Sequence, residues 1–190
     1  LGRLTVSTAA GADSDGDGDI DVLNVLGARS FSIFRTDGSL LFDSGNQFET
    51  ITRDRLGASV FNSDHAANNS FDTRSDNKGP EPEAIVVGEV GGGRFAFVGL
   101  ERIGGVMVYN LNNPAAPSFV DYVNDRNFGV NATIPDANGD GLPDTNPAVG
   151  DLGPEGIAFV PAAQAPGGQA LAVVGSEISG TVSIYTVTPR

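Results

Sequence analysis

The chain states the same pattern twice. Residues 79–109 read GPEPEAIVVGEVGGGRFAFVGLERIGGVMVY and residues 153–185 read GPEGIAFVPAAQAPGGQALAVVGSEISGTVSIY. Each copy runs Gly-Pro-Glu, an apolar β-branched stretch, a Gly-rich turn, a second apolar stretch, a Glu, a Gly and a third stretch ending in Tyr. Glu101 and Glu177 are 76 residues apart, as are Tyr109 and Tyr185, and a fainter copy, VLNVLGARSFSIF, ends in Phe34, 75 residues before Tyr109. A fixed period with several short strands per unit identifies a repeat architecture and outranks any reading of single elements.

Within that period the apolar runs are short, rich in β-branched residues and bounded by Gly, Pro, Asn and Asp, with no strong helix signal, so the chain is expected to be all-β. Strands are expected at 2–7, 21–27, 30–35, 39–43, 83–90, 94–100, 105–111, 117–123, 155–161, 170–175 and 180–187. The middle unit then holds four consecutive strands on short connections, the plan of a propeller blade. The expected organisation is a blade over 1–60 with an acidic loop at 13–21, and a long inter-blade loop over 61–82. A second blade over 83–124 follows, then an inter-blade loop over 125–154 with a second acidic loop at 136–144, and a third blade over 155–190 that lacks its last strand. The whole is a partial β-propeller of about two and three-quarter four-stranded blades, fewer than the four to eight that close a ring. Natural proteins avoid leaving strand edges unpaired. The edges are therefore expected to meet remaining propeller blades or another copy of the chain, and the former is favoured because repeat arrays cap or close themselves.

Charge narrows the partners. Twenty-four acidic residues against eleven basic ones give a net charge of −13, with a pI near 4.2. Such a surface repels nucleic acid and anionic membranes. No apolar run approaches the roughly 20 residues that span a bilayer. The absence of Cys removes disulfides and thiolate metal sites. An acidic chain with one Lys, rich in Asp, Asn and Gly, has the composition of a secreted protein. Beginning Leu-Gly-Arg without Met, it reads as part of something longer.

Two loops carry a cation signature. Asp13, Asp15, Asp17 and Asp21 in the first loop, and Asp136, Asn138, Asp140 and Asp144 in the second, fit D-x-[DN]-x-D-G-x-x-D, with Gly18 and Gly141 at position 6. Side-chain oxygens at positions 1, 3, 5 and 9 wrap one hard cation, and position 7, Asp19 or Leu142, adds its backbone carbonyl. Position 12, a bidentate Glu in switching loops, is Asn24 or Pro147 here. The expected cofactor is Ca2+ in a structural role, with affinity on the order of 10⁻⁴–10⁻³ M. A solvated acidic turn is the alternative; two matches at one spacing favour the cation.

Propeller geometry would bring the repeated acids together. Glu81 and Glu83 enter one innermost strand and Glu155 the next, while Glu101 and Glu177 end the second strands of the same blades. All are expected around one channel mouth, where Glu83, Glu101, Glu155 and Glu177 with Arg74, Lys78 and Arg102 would form a site for a metal or an anion. The competing reading is structural: such Glu residues cap backbone N–H groups or pair with Arg. His65 lies in an Asn/Ser-rich loop and is expected to be solvated. No G-x-S-x-G elbow is present, and Gly91–Gly93 reads as a hairpin turn, since no helix follows it to cradle a phosphate.

The segments FNSDHAANNSFDTRSDNKGPEPEAIVVGEV, FAFVGLERIGGVMVYNLNNPAAPSFVDYVN, GDLGPEGIAFVPA and VGSEISGTVSIY closely resemble the choice-of-anchor I family. The resemblance implies a bacterial exported propeller of the WD40/YVTN type, held at the cell surface or outside the cell, of which this chain would be the C-terminal portion. Glu155–Ala158 with Ser176–Glu177 also resembles esterase-like phytase propellers, and some family members are labelled alkaline phosphatase. Three functions follow as expectations: a calcium-stabilised surface binding or scaffold module, a calcium-dependent phosphoester hydrolase, or a structural subunit of an extracellular assembly.

Overall fold

The computed structural model describes residues 3–9, 11 and 13–189. The expected strand 2–7 therefore begins outside the described residues, as does the last residue of the expected third blade, Arg190. The described chain forms five small antiparallel sheets and one α-helix. Short β1 (Val6–Ser7) pairs with β2 (Asn24–Val25), and β3 (Ser32–Phe34) with β4 (Leu40–Asp43). Helix α1 (Gln47–Leu56) follows. A four-stranded meander then runs β5 (Pro82–Val90), β6 (Gly93–Leu100), β7 (Val106–Asn110) and β8 (Ser118–Val123) in sheet order. After a small pair, β9 (Thr133–Ile134) with β10 (Asp144–Thr145), comes the three-stranded meander β11 (Pro154–Val160), β12 (Ala170–Ser176) and β13 (Thr181–Val187).

The middle and last units match the expected strands. The first corrects the expectation of an all-β chain made of four-stranded blades. Its strand content is one hairpin and a separate two-residue ladder, and α1 continues from it. The helix signal was present in QFETITRDRL: Phe48, Ile51, Thr52 and Leu56 recur at helical spacing, and Phe48 and Thr52 are buried. Glu49 in the first turn and Arg53 and Arg55 in the last complement the helix dipole. The fold is thus mostly β with one helix, with no closed barrel among the described residues.

The four-stranded sheet is covered on both faces, which is why FAFVGL reads as a continuous apolar run rather than an alternation. Ala96, Val98 and Leu100 of β6 face one way, into a cluster with Phe31, Phe48, Met107, Tyr109 and Tyr122. Phe97 faces the other way, into a cluster with Val106, Ala172 and Val174. The first interface is aromatic: Tyr109, fully buried, meets Phe31 edge-on at 5.0 Å, Phe48 at 6.0 Å and Phe119 at 5.9 Å. Each such pair contributes roughly 0.5–1.5 kcal/mol beyond its buried area. Because the first unit brings no long inner strand alongside β5, Ile85 and Val87 on that side stay exposed.

The second interface closes on one glycine. Phe159 of β11 stacks on Phe97 at 5.6 Å, and a Cβ on Gly88 of β5 would lie 2.5 Å from the Phe159 ring. The Gly88→Ala variant is expected to lose about 1–3 kcal/mol, the usual cost of overpacking. Gly156→Ala, where a Cβ would meet nothing within 4 Å, serves as the control. Thermal melts of the two variants check this; equal melting temperatures would mean the two sheets do not pack this closely.

Candidate functional site

The sheet edges that hold the repeated acids are built alike. β5 carries a register shift between Pro82 and Ala84, and β11 one between Pro154 and Gly156, so Glu83 and Glu155 both sit on a β-bulge. A bulge re-aims the side chain it carries. The chain after each second strand returns to the bulged entry. The Glu101 N–H donates to the Glu81 carbonyl and the Glu177 N–H to the Gly153 carbonyl, both at 2.8 Å. This register corrects the letter-by-letter alignment of the two Gly-Pro-Glu motifs. Glu155 corresponds to Glu83, and the structural counterpart of Glu81 is Gly153. Both occupy the left-handed region, Glu81 at φ 49° and Gly153 at φ 72°. A glycine adopts this conformation freely, whereas a glutamate there costs of order 1–3 kcal/mol.

What holds Glu81 there is charge. Its side chain is almost fully buried, and its carboxylate takes Arg74 Nη2, Lys78 Nζ at 2.8 Å and Arg102 Nε at 3.1 Å. Burial pushes its pKa upward, but hydrogen bonds from Arg102 and Lys78, with Glu101 and Arg74 behind them, win and hold it well below the usual carboxylate range. Next to it, Glu101 pairs with Arg102 Nη1 at 3.0 Å and lies 3.2 Å from His65 Nδ1. Burial, then hydrogen bonding to Glu83 and Glu81, pushes the Glu101 pKa up to about 8 against the opposing Arg102 charge. Carboxylate oxygens of Glu81, Glu83 and Glu101 lie within 4.8 Å of one another.

The expected cluster forms in two halves. Glu83 and Glu101 join Glu81 in one. Glu155 and Glu177 share a hydrogen bond in the other, which raises the Glu155 pKa, with the Glu83 charge adding a smaller push. The three cations expected to hold an anion, Arg74, Lys78 and Arg102, are all bound to Glu81, so the chain's own carboxylate fills that role. His65 is not solvated as expected: its side chain is 15% exposed and rests on Arg102 and Glu101. Burial and the Arg102 charge push its pKa down.

Sequence reading missed what fastens this cluster to the rest of the chain. Arg126, 6% exposed, donates to Asn68 Oδ1 and to the carbonyls of Arg102 and Asp64 while its guanidinium covers the Phe128 ring. Arg29 binds Glu49 of α1 at 2.6 Å and the Asn77 carbonyl at 2.9 Å. Phe128 aside, these partners stand 20 to 62 residues apart, and no local spacing announces them.

The two acidic loops, far apart in sequence, fold onto one scaffold. Asp13 accepts from the N–H groups of Gly16 and Gly18, and Asp136 from those of Gly139 and Gly141. Asp15 and Asn138 accept from the residue two further on, as do Asp17 and Asp140. Asp21 closes the first loop on the Ser14 N–H and Asp144 the second on the Ala137 N–H. The Ser14 hydroxyl and then its N–H lower the pKa of Asp21, and the Gly139 and Gly141 N–H groups lower that of Asp136. Carboxylate oxygens of Asp13, Asp15 and Asp21 come within 4.8 Å of one another. Hard oxygen donors converging at exposed positions suit calcium.

Comparison with known proteins adds two relationships. The Choice-of-anchor I domain matches residues 1–114. Gigasin-3a of Magallana gigas is 33% identical over 191 residues, an overlap covering 98% of this chain and 64% of Gigasin-3a, so the chain spans less than two thirds of that relative. No solved structure matches the chain. Among the described residues no helix is long and apolar enough to cross a membrane.

The carboxyl cluster sets a pH dependence. Unfolding lets Glu101 release at about 4.5 a proton that the fold retains up to about 8. The unfolded state therefore binds fewer protons across that window, and stability falls as pH rises through it. Glu155, also raised, adds in the same sense. Glu81, with its depressed pKa, acts oppositely: its contribution is present above the ordinary carboxylate range and is lost as pH falls below it. In urea titrations Glu101→Gln is expected to flatten the decline between pH 4.5 and 8 and leave the acid limb in place. An unchanged decline would mean that Glu101 is ionised in the fold.

Proposed function

The chain belongs to the choice-of-anchor I family, and from that premise we propose that it is an exported, calcium-stabilised β-propeller segment serving as a cell-surface or extracellular binding and scaffold module. The family points to a surface-associated module; the propeller, the calcium and the binding role are inferences from the geometry.

The observation that carries the reading is how equivalent residues face. Tyr109 of β7 packs on the first unit and Tyr185 of β13 on the middle unit. Phe34, their counterpart in β3, is 60% exposed, with no unit packed on it among the described residues. The opposite faces agree. Phe31 and Ile33 pack toward the middle unit and Val106 and Val108 toward the last. Their counterparts Val182 and Ile184 are exposed at the far end. Each unit therefore covers the next through one repeated pair of faces, as consecutive blades do. The two end faces have the composition of the internal ones, which supports further units in the longer protein.

Calcium is supported by the two equivalent loops. When bound it supplies positive charge to carboxylates that otherwise repel across a few ångströms. Calorimetric titration of the chain is expected to saturate near two ions, with a rise in melting temperature. Asp13→Asn and Asp136→Asn should each remove one ion. Binding that survives both substitutions would overturn the assignment of calcium to these loops.

A calcium-dependent phosphoester hydrolase is the second reading, favoured by the convergence of Glu83 with Glu101 and of Glu155 with Glu177. It asks Arg74, Lys78 and Arg102 to leave Glu81 for a phosphate. If the chain cleaves a chromogenic phosphate ester, Glu155→Gln should abolish that activity and leave the calcium-dependent melting temperature unchanged. Activity that survives, or none to lose, removes this reading.

A further inference from the structure

The two acidic loops differ at one step of the backbone. Where the first has Asp15-Gly16, the second has Asn138-Gly139, the one Asn-Gly step in the chain. An Asn side-chain amide is an electrophile beside the next residue's backbone nitrogen, and glycine, with no Cβ, leaves that nitrogen unhindered. Asn138 and Gly139 are both exposed, and Gly139, at φ 84°, has nothing within 4 Å of where a Cβ would stand. The aspartates that precede glycine, Asp15, Asp17, Asp37 and Asp140, present a negatively charged carboxylate that repels such an attack. Asn62, followed by Ser63, is buried with its amide donating to Glu49 and Ser75.

Three hydrogen bonds restrain the reacting atoms. The Asp140 N–H donates to Asn138 Oδ1 at 2.9 Å, Asn138 Nδ2 to Asp144 Oδ1 at 2.8 Å, and the Gly139 N–H to Asp136 Oδ1 at 2.6 Å. All three are exposed, so each holds the loop only modestly against competing water. Asp136, Asp140 and Asp144 also repel one another across the same short loop, which favours its opening. A calcium ion would take Asn138 Oδ1 as its ligand at position 3 and so restrain the amide. The stem beneath is fastened independently: Ala132 and Val149 are buried with Leu152, and Thr145 donates to the Ile178 carbonyl. The loop can therefore open on an intact stem.

We infer that Asn138 is a self-modification site and that calcium in the second loop guards it. The guard rests on the calcium reading above; the chemistry at Asn138 does not. In the open loop the Gly139 nitrogen gives its proton to hydroxide, and its electron pair forms a bond to Asn138 Cγ. The Cγ–Nδ2 bond breaks, and Nδ2 leaves as ammonia with a proton from water, which restores the hydroxide. Water then opens the cyclic imide. Cleavage at Cγ gives aspartate, so the second loop gains the carboxylate that Asp15 supplies in the first. Cleavage at the backbone carbonyl gives isoaspartate, which lengthens the main chain by a methylene and breaks the loop's hydrogen-bond pattern. Loss of calcium is thereby written into the chain as a permanent change in one loop.

The test follows the whole chain by peptide mapping that separates asparagine, aspartate and isoaspartate, after incubation in chelator, in calcium or in urea. The urea sample gives the unrestrained rate. In chelator, conversion is expected at Asn138 and not at Asn62. Calcium at about ten times the dissociation constant found by calorimetry should slow it about tenfold, in proportion to the calcium-free loop that remains. A folded, chelated chain that stays unconverted at Asn138 while the urea sample converts overturns the inference. A rate that ignores calcium, in a chain whose calorimetry shows an ion lost on Asp136→Asn, overturns the guard alone. If calorimetry shows no ion at this loop, the parent reading fails instead, and conversion in chelator still assigns Asn138.

Discussion

The structure turns on one buried carboxylate. Glu81 stands where the last unit has Gly153, in a backbone conformation that glutamate tolerates poorly, and it is held by Arg74, Lys78 and Arg102. Arg74 and Lys78 come from the polar segment before β5, and Arg102 from the turn after β6. The three ion pairs tie that segment to the sheet. Breaking one partner of such a buried group strands the other charge, which is far more costly than a surface pair is stabilising. The segment has no apolar core of its own, so this charge network, with the Arg126 and Arg29 anchors, gives it a defined path.

The same three cations bear on function. A set of Arg and Lys at the end of the middle sheet invites an anion-binding reading, yet here an internal anion already occupies them. The carboxyl groups of Glu83, Glu101, Glu155 and Glu177 are a different case. They face one another, and the contacts between them need either a proton or a cation, since two bare carboxylates at hydrogen-bond distance repel. Glu101 meets that need with a retained proton. The acidic loops at 13–21 and 136–144 are exposed, and their side-chain oxygens accept from backbone N–H groups of their own loops.

Stacking explains the surface as well as the core. Residues equivalent to those that seal the two internal interfaces are exposed at the ends, Phe34 at one and Val182 and Ile184 at the other. An exposed large apolar residue on its own needs no account. Here the exposed positions repeat buried ones at the period of the chain, which sets them apart from scattered exceptions.

Much of this was legible in the sequence. The period, the strands of the middle and last units, the Gly91–Gly92 turn and the meeting of the repeated glutamates all follow from local alternation and from a repeat that places like residues at like positions. Helix α1 was legible too, in the spacing of Phe48, Ile51, Thr52 and Leu56, but the β-rich repeat around it masked the signal. Tertiary structure alone decided the rest. It put Glu81 in a left-handed conformation where the last unit has Gly153, gave Arg74, Lys78 and Arg102 an internal partner, and drew His65 out of water. The physical reason is range: strand periodicity and turn chemistry act over a few residues and leave their mark in the local sequence. The ionisation and burial of a charged side chain depend on partners brought in from tens of residues away, and only the folded chain selects them.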